Sequence, residues 1–447
     1  MKPQNHYPSF EQWAVLKEVF PLLLFTLPIA IVTGSLVALF LFLLDVCTQT
    51  RWQYPWMFFF LPFAGIGIVW VYKQFGKNSD AGNKLLIDEI HEPNQRIPAR
   101  IVPLVLGGTL VTHLFGGSAG REGTAVQMGG GITSFMLRWL NLSSEKKRVL
   151  YTSGIAAGFG AVFGTPVTGA VFAIEVLTIG KLNYKALLPA LAGSVVADFT
   201  CTAWGISHTH YSIQSIATQN LPGIQMHLDY LLLCKVAVAG ALFGFTGYLF
   251  AELSHFLKEQ FTKRISMYIA IPVIGAVSVI GISYLLGTFD YLGLGVTGPL
   301  PDSISIVNAF KEGGVTPWSW WWKLLLTVIT ISSGFKGGEV TPLFFIGAAL
   351  GNTFGAIAGA PVDLFAAIGF IAVFAAATNT PLACTIMGIE LFGGEYTLYF
   401  ALACFIAYYM SGHSGIYQSQ RVGVAKYGNH LHAASRTLKE WKQHQTE

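Results

Sequence analysis

The chain has 447 residues, of which 53% are hydrophobic and only 11% charged, against roughly 25% charged in an ordinary soluble domain. Water is thereby excluded as the main solvent of the fold, and a polytopic membrane protein is indicated. The formal charge of +4 comes without a basic run of five or more residues, which excludes a nucleic-acid surface and leaves the excess as a loop bias.

In chain order, Met1–Lys17 is polar and mixed in charge, so a cytosolic surface helix is expected rather than a cleaved signal. Apolar runs then recur at Val19–Val46, Trp56–Val71, Ile101–Phe115, Val149–Leu177, Ala186–Ala203, Tyr230–Ala251, Ile265–Leu286, Leu324–Ile331, Leu343–Ala358, Leu364–Ala377 and Leu398–Met410. Several fall short of the roughly 20 residues that span a bilayer. Short, glycine-broken segments predict re-entrant or discontinuous helices, tolerated only where protein or a watery cavity satisfies the backbone. Lys73–Lys84 and Arg436–Lys442 form one basic side, which places both termini in the cytoplasm. The expected organisation is a surface helix over 1–17, membrane repeats over 18–225 and 226–425, and a cytosolic tail over 426–447.

Cys47, Cys201, Cys234, Cys384 and Cys404 lie singly in apolar or boundary sequence without redox or metal spacing, and are expected to be small core residues. His208-Thr209-His210 has no third ligand indicated, so neither a metal nor a cofactor is expected.

Gly120-Arg121-Glu122-Gly123-Thr124 sets a carboxylate among glycines where two apolar stretches meet. An intramembrane acid is a functional site by default. The glycines expose backbone N–H groups, and the positive end of the following helix favours an anion. The alternative for Glu122 is an ion pair with Arg121 or a loop lysine, disfavoured because consecutive residues on a helix face apart. Arg121 would hold the loop through backbone carbonyls. Lys336 would do the same or draw anions inward.

Two motifs recur. Thr165-Pro166…Glu175-Val176 returns as Thr380-Pro381…Glu390-Leu391, 215 residues later, and Gly120-x-Glu122-x-Thr124 returns as Gly337-x-Glu339-x-Thr341, 217 later. A shared order and nearly shared offset imply a duplicated unit, and duplication in a membrane protein marks a transporter or channel with its site near midplane. Glu122 and Glu339 are therefore expected as counterparts in loops facing one site, with Thr341 capping a helix that Pro342 begins. Glu175 and Glu390 are assigned structural roles, capping loop N–H groups inside each half. An intramembrane enzyme would need a catalytic partner such as HExxH or paired aspartates, and the sequence has neither.

Across nearly its whole membrane portion the chain resembles the CLC family of chloride channels and transporters. Gly120-Arg121-Glu122-Gly123-Thr124 is similar to the family's GREGP loop, with Thr124 for proline; Gly337-Gly338-Glu339-Val340-Thr341-Pro342 is similar to its GxFxP loop; and Ile416-Tyr417 resembles the segment bearing the pore tyrosine. The resemblance implies an all-α fold of two inverted repeats in a homodimer, a gating and proton-coupling role for Glu122, and an ion site drawn from Asn83, Gly120, Arg121, Gly123, Glu339, Val340, Thr341 and Tyr417. The family's GSGIP loop is replaced by Gly82-Asn83-Lys84-Leu85-Leu86, and Val176 stands where many proton-coupled relatives carry a glutamate. These departures resemble the CLC-F branch, which exports fluoride in exchange for protons and protects bacteria from it. A fluoride/proton antiporter in the bacterial plasma membrane is thus implied, with a chloride/proton antiporter or passive anion channel as the alternative. Asn83 suits fluoride because a small, strongly hydrated anion needs short donors to replace water, and an amide NH₂ offers two. The alternative for Asn83 is an ordinary helix cap, and for Thr341 likewise. No tandem cytosolic nucleotide-sensing module is expected.

Overall fold

The structure, a computed structural model, describes residues 11–93, 97–214, 229–427 and 436–446. Its helices are α1 (Glu11–Gln53), α2 (Leu61–Val71), α3 (Asn83–His91), α4 (Ile101–Leu114), α5 (Glu122–Leu137), α6 (Ser144–Phe163), α7 (Pro166–Glu175) and α8 (Leu187–Ala203) in the first half. The second half supplies α9 (Tyr230–Arg264), α10 (Ala270–Leu286), α11 (Ile306–Ala309), α12 (Ser319–Ser332), α13 (Val340–Ala358), α14 (Val362–Thr378), α15 (Pro381–Phe392) and α16 (Thr397–Met410), and the tail ends in α17 (Leu438–Thr446). Helices α12, α13 and α14 begin at 319, 340 and 362, each 218 residues after α4, α5 and α6 at 101, 122 and 144.

The halves are related by a two-fold. Glu175 accepts the backbone N–H groups of Leu382 (3.1 Å) and Ala383 (2.7 Å). Glu390 returns the contact, accepting those of Val167 (2.9 Å) and Thr168 (2.8 Å) and the Thr168 hydroxyl (2.6 Å). Only a two-fold, isologous arrangement makes residue i meet j while the counterpart of j meets the counterpart of i. Each glutamate thus caps the first turn of the other half's helix, α15 or α7, where Pro381 and Pro166 sit at the start. This corrects the expectation of caps inside each half: the glutamate at the far end of each helix cannot reach its own N-terminus, but the two-fold brings in its partner's.

Five helices among the described residues are long and apolar enough to cross a bilayer. Large side chains such as Phe63, Phe199, Leu285 and Ile357 stand exposed on the exterior, where lipid rather than water is their solvent. Inside, α14 is buried at every residue, and Gly347 and Gly369 let α13 and α14 touch, a Cβ at either meeting the other's carbonyl at about 2 Å. The apolar run Val149–Leu177 is two helices, because Gly164 takes a left-handed φ of +71° and Thr165-Pro166 restarts the chain as α7.

Several features differ from expectation. Glu11–Lys17 is the start of α1 rather than a separate surface helix, and α1 runs on through Pro21 and Pro28 to Gln53; residues 1–10 lie outside the described residues, as does the expected repeat junction at 225/226. Cys234 is exposed and Cys47 only partly buried, so neither is a core residue, whereas Cys201, Cys384 and Cys404 are buried. The tail folds back. Its strand Arg421–Val422 (β2) pairs in parallel with Thr178–Ile179 (β1), and Leu438 and Trp441 of α17 pack on Ile179, Tyr408 and Val422.

Candidate anion site between the two halves

The loops before α5 and α13 meet head on. Gly120 N–H donates to the Gly338 carbonyl (2.6 Å) and Gly338 N–H to the Gly120 carbonyl (2.7 Å), an antiparallel bridge between residues 218 apart. A Cβ at Gly338 would meet the Gly123 nitrogen at 2.8 Å, and one at Gly120 the Gly338 carbonyl oxygen at 3.0 Å, so only glycine allows this approach. Ser118 fixes the first loop, donating to the Tyr291 carbonyl (3.0 Å) and pairing with the Thr327 hydroxyl (2.9 Å).

Glu122 is 1% exposed. Its Oε2 accepts from the backbone N–H of Thr341 (3.0 Å) and of Arg121 (3.1 Å), and its Oε1 accepts from the Thr341 hydroxyl. The carboxylate of one half therefore occupies the anion-binding start of the other half's helix α13, a negative charge seated where the helix dipole and free N–H groups favour one. Chemically it stands in for a small anion.

Several expectations change here. Because α5 starts at Glu122 and α13 at Val340, Glu122 corresponds to Val340, and Glu339 corresponds to Arg121, the residue before each helix; identical letters in the two motifs are offset by one from equivalent positions. Thr341 does not cap α13, since Glu339 precedes the helix; its hydroxyl goes to Glu122 instead. Arg121 also lies before α5 rather than on it, so the i, i+1 argument fails, and its Nε approaches Glu122 Oε1 to 3.7 Å. That Nε is buried without a hydrogen-bond partner, and so does not hold the loop through carbonyls. Lys336 pairs with Asp80 (2.5 Å) and covers the Tyr72 ring, again not the loop carbonyls.

Asn83 opens α3, placed by Gly82 at φ +56°. Its Nδ2 stands 3.4 Å from where a Cβ of Gly123 would be, and Glu339 Oε2 4.0 Å from that same point. Asn83 Oδ1 is buried with no hydrogen-bond partner. Tyr417 lies close enough to Glu339 and Glu122 for both charges to act on its hydroxyl, and Ile416 N–H donates to the Ala377 carbonyl (2.8 Å), fixing that segment. Gly120, Arg121, Gly123, Glu122, Glu339, Val340, Thr341, Asn83 and Tyr417 thus gather around the junction of α3, α5 and α13. Thr124, in place of proline, bonds the Thr109 hydroxyl at 2.7 Å, both fully buried.

The sequence reading missed Lys323 and Arg51. Lys323 is 0% exposed and donates to the carbonyls of Tyr291 (3.0 Å) and Gly293 (2.7 Å). It borders the apolar run that begins at Leu324, and a lysine at that place is a functional signal.

Buried polar groups at the junction of duplicated broken helices, inside a lipid-facing shell, define a multi-pass membrane protein with a candidate ion site between its halves. The chain belongs to the voltage-gated chloride channel family, whose model matches residues 64–412. It is 45% identical over 406 residues to the chloride/fluoride channel protein of Pseudomonas syringae pv. tomato, covering 89% of this chain and 86% of that one. Among solved structures it is similar to a CLC-type fluoride/proton antiporter, with a TM-score of 0.83 and 35% identity over 91% of this chain and 98% of that one. A slow cyanobacterial Cl⁻/H⁺ antiporter shares the fold, with a TM-score of 0.71 and 22% identity over 87% of this chain and 94% of that one.

Proposed function

We propose that the chain exchanges fluoride for protons across a bacterial plasma membrane and so protects the cell from fluoride. The reading rests on one observation above all: the Glu122 carboxylate sits on donors of the opposite half that would serve an anion equally well. Deprotonated, Glu122 blocks the path; protonated, it loses the charge that holds it there, swings away, and fluoride takes its place. One side chain is then both gate and proton carrier, which couples the two fluxes in opposite directions. Similarity to a relative named for chloride and fluoride and to a fluoride/proton antiporter supports the same reading.

Asn83, Tyr417 and the backbone donors of Gly123, Glu339 and Val340 would replace the water of the incoming ion, with Arg121 supplying charge at the mouth; the Gly120 N–H, taken by the Gly338 carbonyl, shapes the loop instead. The unsatisfied Asn83 Oδ1 marks an amide not locked into the fold. The working unit is a homodimer in the bilayer, one pathway per subunit, both termini cytoplasmic, and a transporter rather than an enzyme. Repeats spanning 18–225 and 226–425 supply the two halves of each pathway.

The test is fluoride flux in proteoliposomes with and without a pH gradient. Wild type pumps fluoride uphill when a proton gradient is imposed, and Glu122→Gln does not. Undiminished pumping by that variant would remove Glu122 from the coupling step, and chloride moving as fast as fluoride in wild type would favour the chloride reading.

A further inference from the structure

We propose a second anion-binding site, in the cavity at the end of α1, centred on Arg51 and Arg121. This rests on the anion-pathway reading and adds to it a station outside the gate. The cavity has a volume of about 370 Å³, and Arg51, Arg121, Thr48, His208 and Thr297 are among its lining residues, with Asp45 the one lining carboxylate. Arg121 adjoins the gate, since its Nε is 3.7 Å from Glu122 Oε1.

The charges around this cavity are poorly compensated. Arg51 Nη1 is buried with no hydrogen-bond partner, and so is Arg121 Nε. Among the described residues no carboxylate lies within ion-pair distance of Arg51 or of the fully buried Lys323. Lys323 is held by carbonyls at Tyr291 and Gly293, and the Arg51 guanidinium lies on Gly293, where a Cβ would meet Nη1 at 2.5 Å. Gly293 takes φ +59°, and its N–H donates to the Gly117 carbonyl (3.2 Å) in the same loop that carries Glu122. The cations are therefore built into the wall rather than draped over it. Asp198 is turned to His208, 3.7 Å away.

Buried cations without counter-charges are costly unless something neutralises them. A mobile monovalent anion in the cavity does so, and low-dielectric walls lined by one sign of charge concentrate such an ion. The cavity is too roomy to strip a halide's hydration shell, so it should take fluoride, chloride or bromide alike and leave selection to the Asn83 site. With both termini cytoplasmic the end of α1 lies on the outer side, so its role is at the exit: it receives the exported anion beside Arg121, and in exchange run inward it holds an anion there until Glu122 vacates its donors.

Two measurements test this. First, initial fluoride flux against fluoride concentration in proteoliposomes: Arg51→Gln should raise the half-saturating concentration by about tenfold at low ionic strength, and by less at high salt, with the fluoride-to-proton ratio unchanged and Arg51→Lys partly restoring it. Second, bromide soaked into crystals of the wild-type protein should give an anomalous peak between Arg51 and Arg121, absent in Arg51→Gln crystals. Wild type that moves no fluoride but shows the bromide peak would sink the transport reading and leave the site. Unchanged flux curves in Arg51→Gln, or no peak in wild type, would overturn the site whatever is transported.

Discussion

The Thr341 hydroxyl is the contact most open to a residue-scale test, because it joins the gate carboxylate to the opposite half. A hydrogen bond to a charged group contributes about 1.5–3 kcal/mol. Thr341→Val keeps the shape and removes that bond, so the carboxylate should leave its seat more readily and fluoride efflux without a proton gradient should rise on the order of tenfold. Efflux equal to wild type would mean the backbone donors alone hold Glu122. Asn83→Ser should raise chloride flux relative to fluoride, since a hydroxyl supplies one donor where the amide supplies two. Paired halide efflux measures it, and an unchanged ratio would take Asn83 out of selection. Tyr417→Ala should loosen the inner side of the pathway and weaken coupling without reversing halide preference.

At the scale of elements, the reciprocal glutamate caps bind the two halves together. Removing the charge of Glu390 leaves three donors poorly matched, and that of Glu175 two, so Glu390→Gln and Glu175→Gln should each cost about 1–3 kcal/mol, read as a lowered thermal unfolding temperature in detergent. Halide preference should stay as in wild type. A variant of full stability and altered preference would reverse the roles. Gly338→Ala is a sharper probe of the loop contact: its Cβ would press on the Gly123 nitrogen, forcing the two glycine loops apart and abolishing the Glu122 seat.

For the whole molecule, the tail that folds back onto β1 brings a titrating latch. Lys426 donates to Asn379 Oδ1 (2.6 Å), the Tyr408 carbonyl (2.5 Å) and Ser411 Oγ (3.0 Å), and burial lowers its pKa to about 7. The folded value lies below the ordinary lysine value of 10.5, so between these two pH values the undocked tail keeps a proton that the docked tail has lost. Stability of the docked tail therefore rises with pH across that window and is least below it. The protection factors of the α17 amides against hydrogen exchange should rise from pH 7 toward pH 9, and Lys426→Met should flatten the trend. A trend of opposite sign would show that the ammonium, not the amine, is the docked form.

The sequence by itself determined the solvent and the duplication and singled out the proposed gate. Composition demanded lipid, two motifs in one order demanded a repeat, and a carboxylate among glycines demanded a site, because each of these is a local property that no tertiary arrangement can undo. It could not decide which half each residue serves. Glu175 and Glu390 cap across the two-fold, Thr341 reaches back to Glu122, and Lys323 and Arg51 meet at Gly293, all through contacts 30 to more than 200 residues apart. Letter matching set Glu339 opposite Glu122, whereas the helix starts set Val340 there. Side-chain partners across a two-fold follow from how helices pack, and that packing is written in the fold rather than in any one segment.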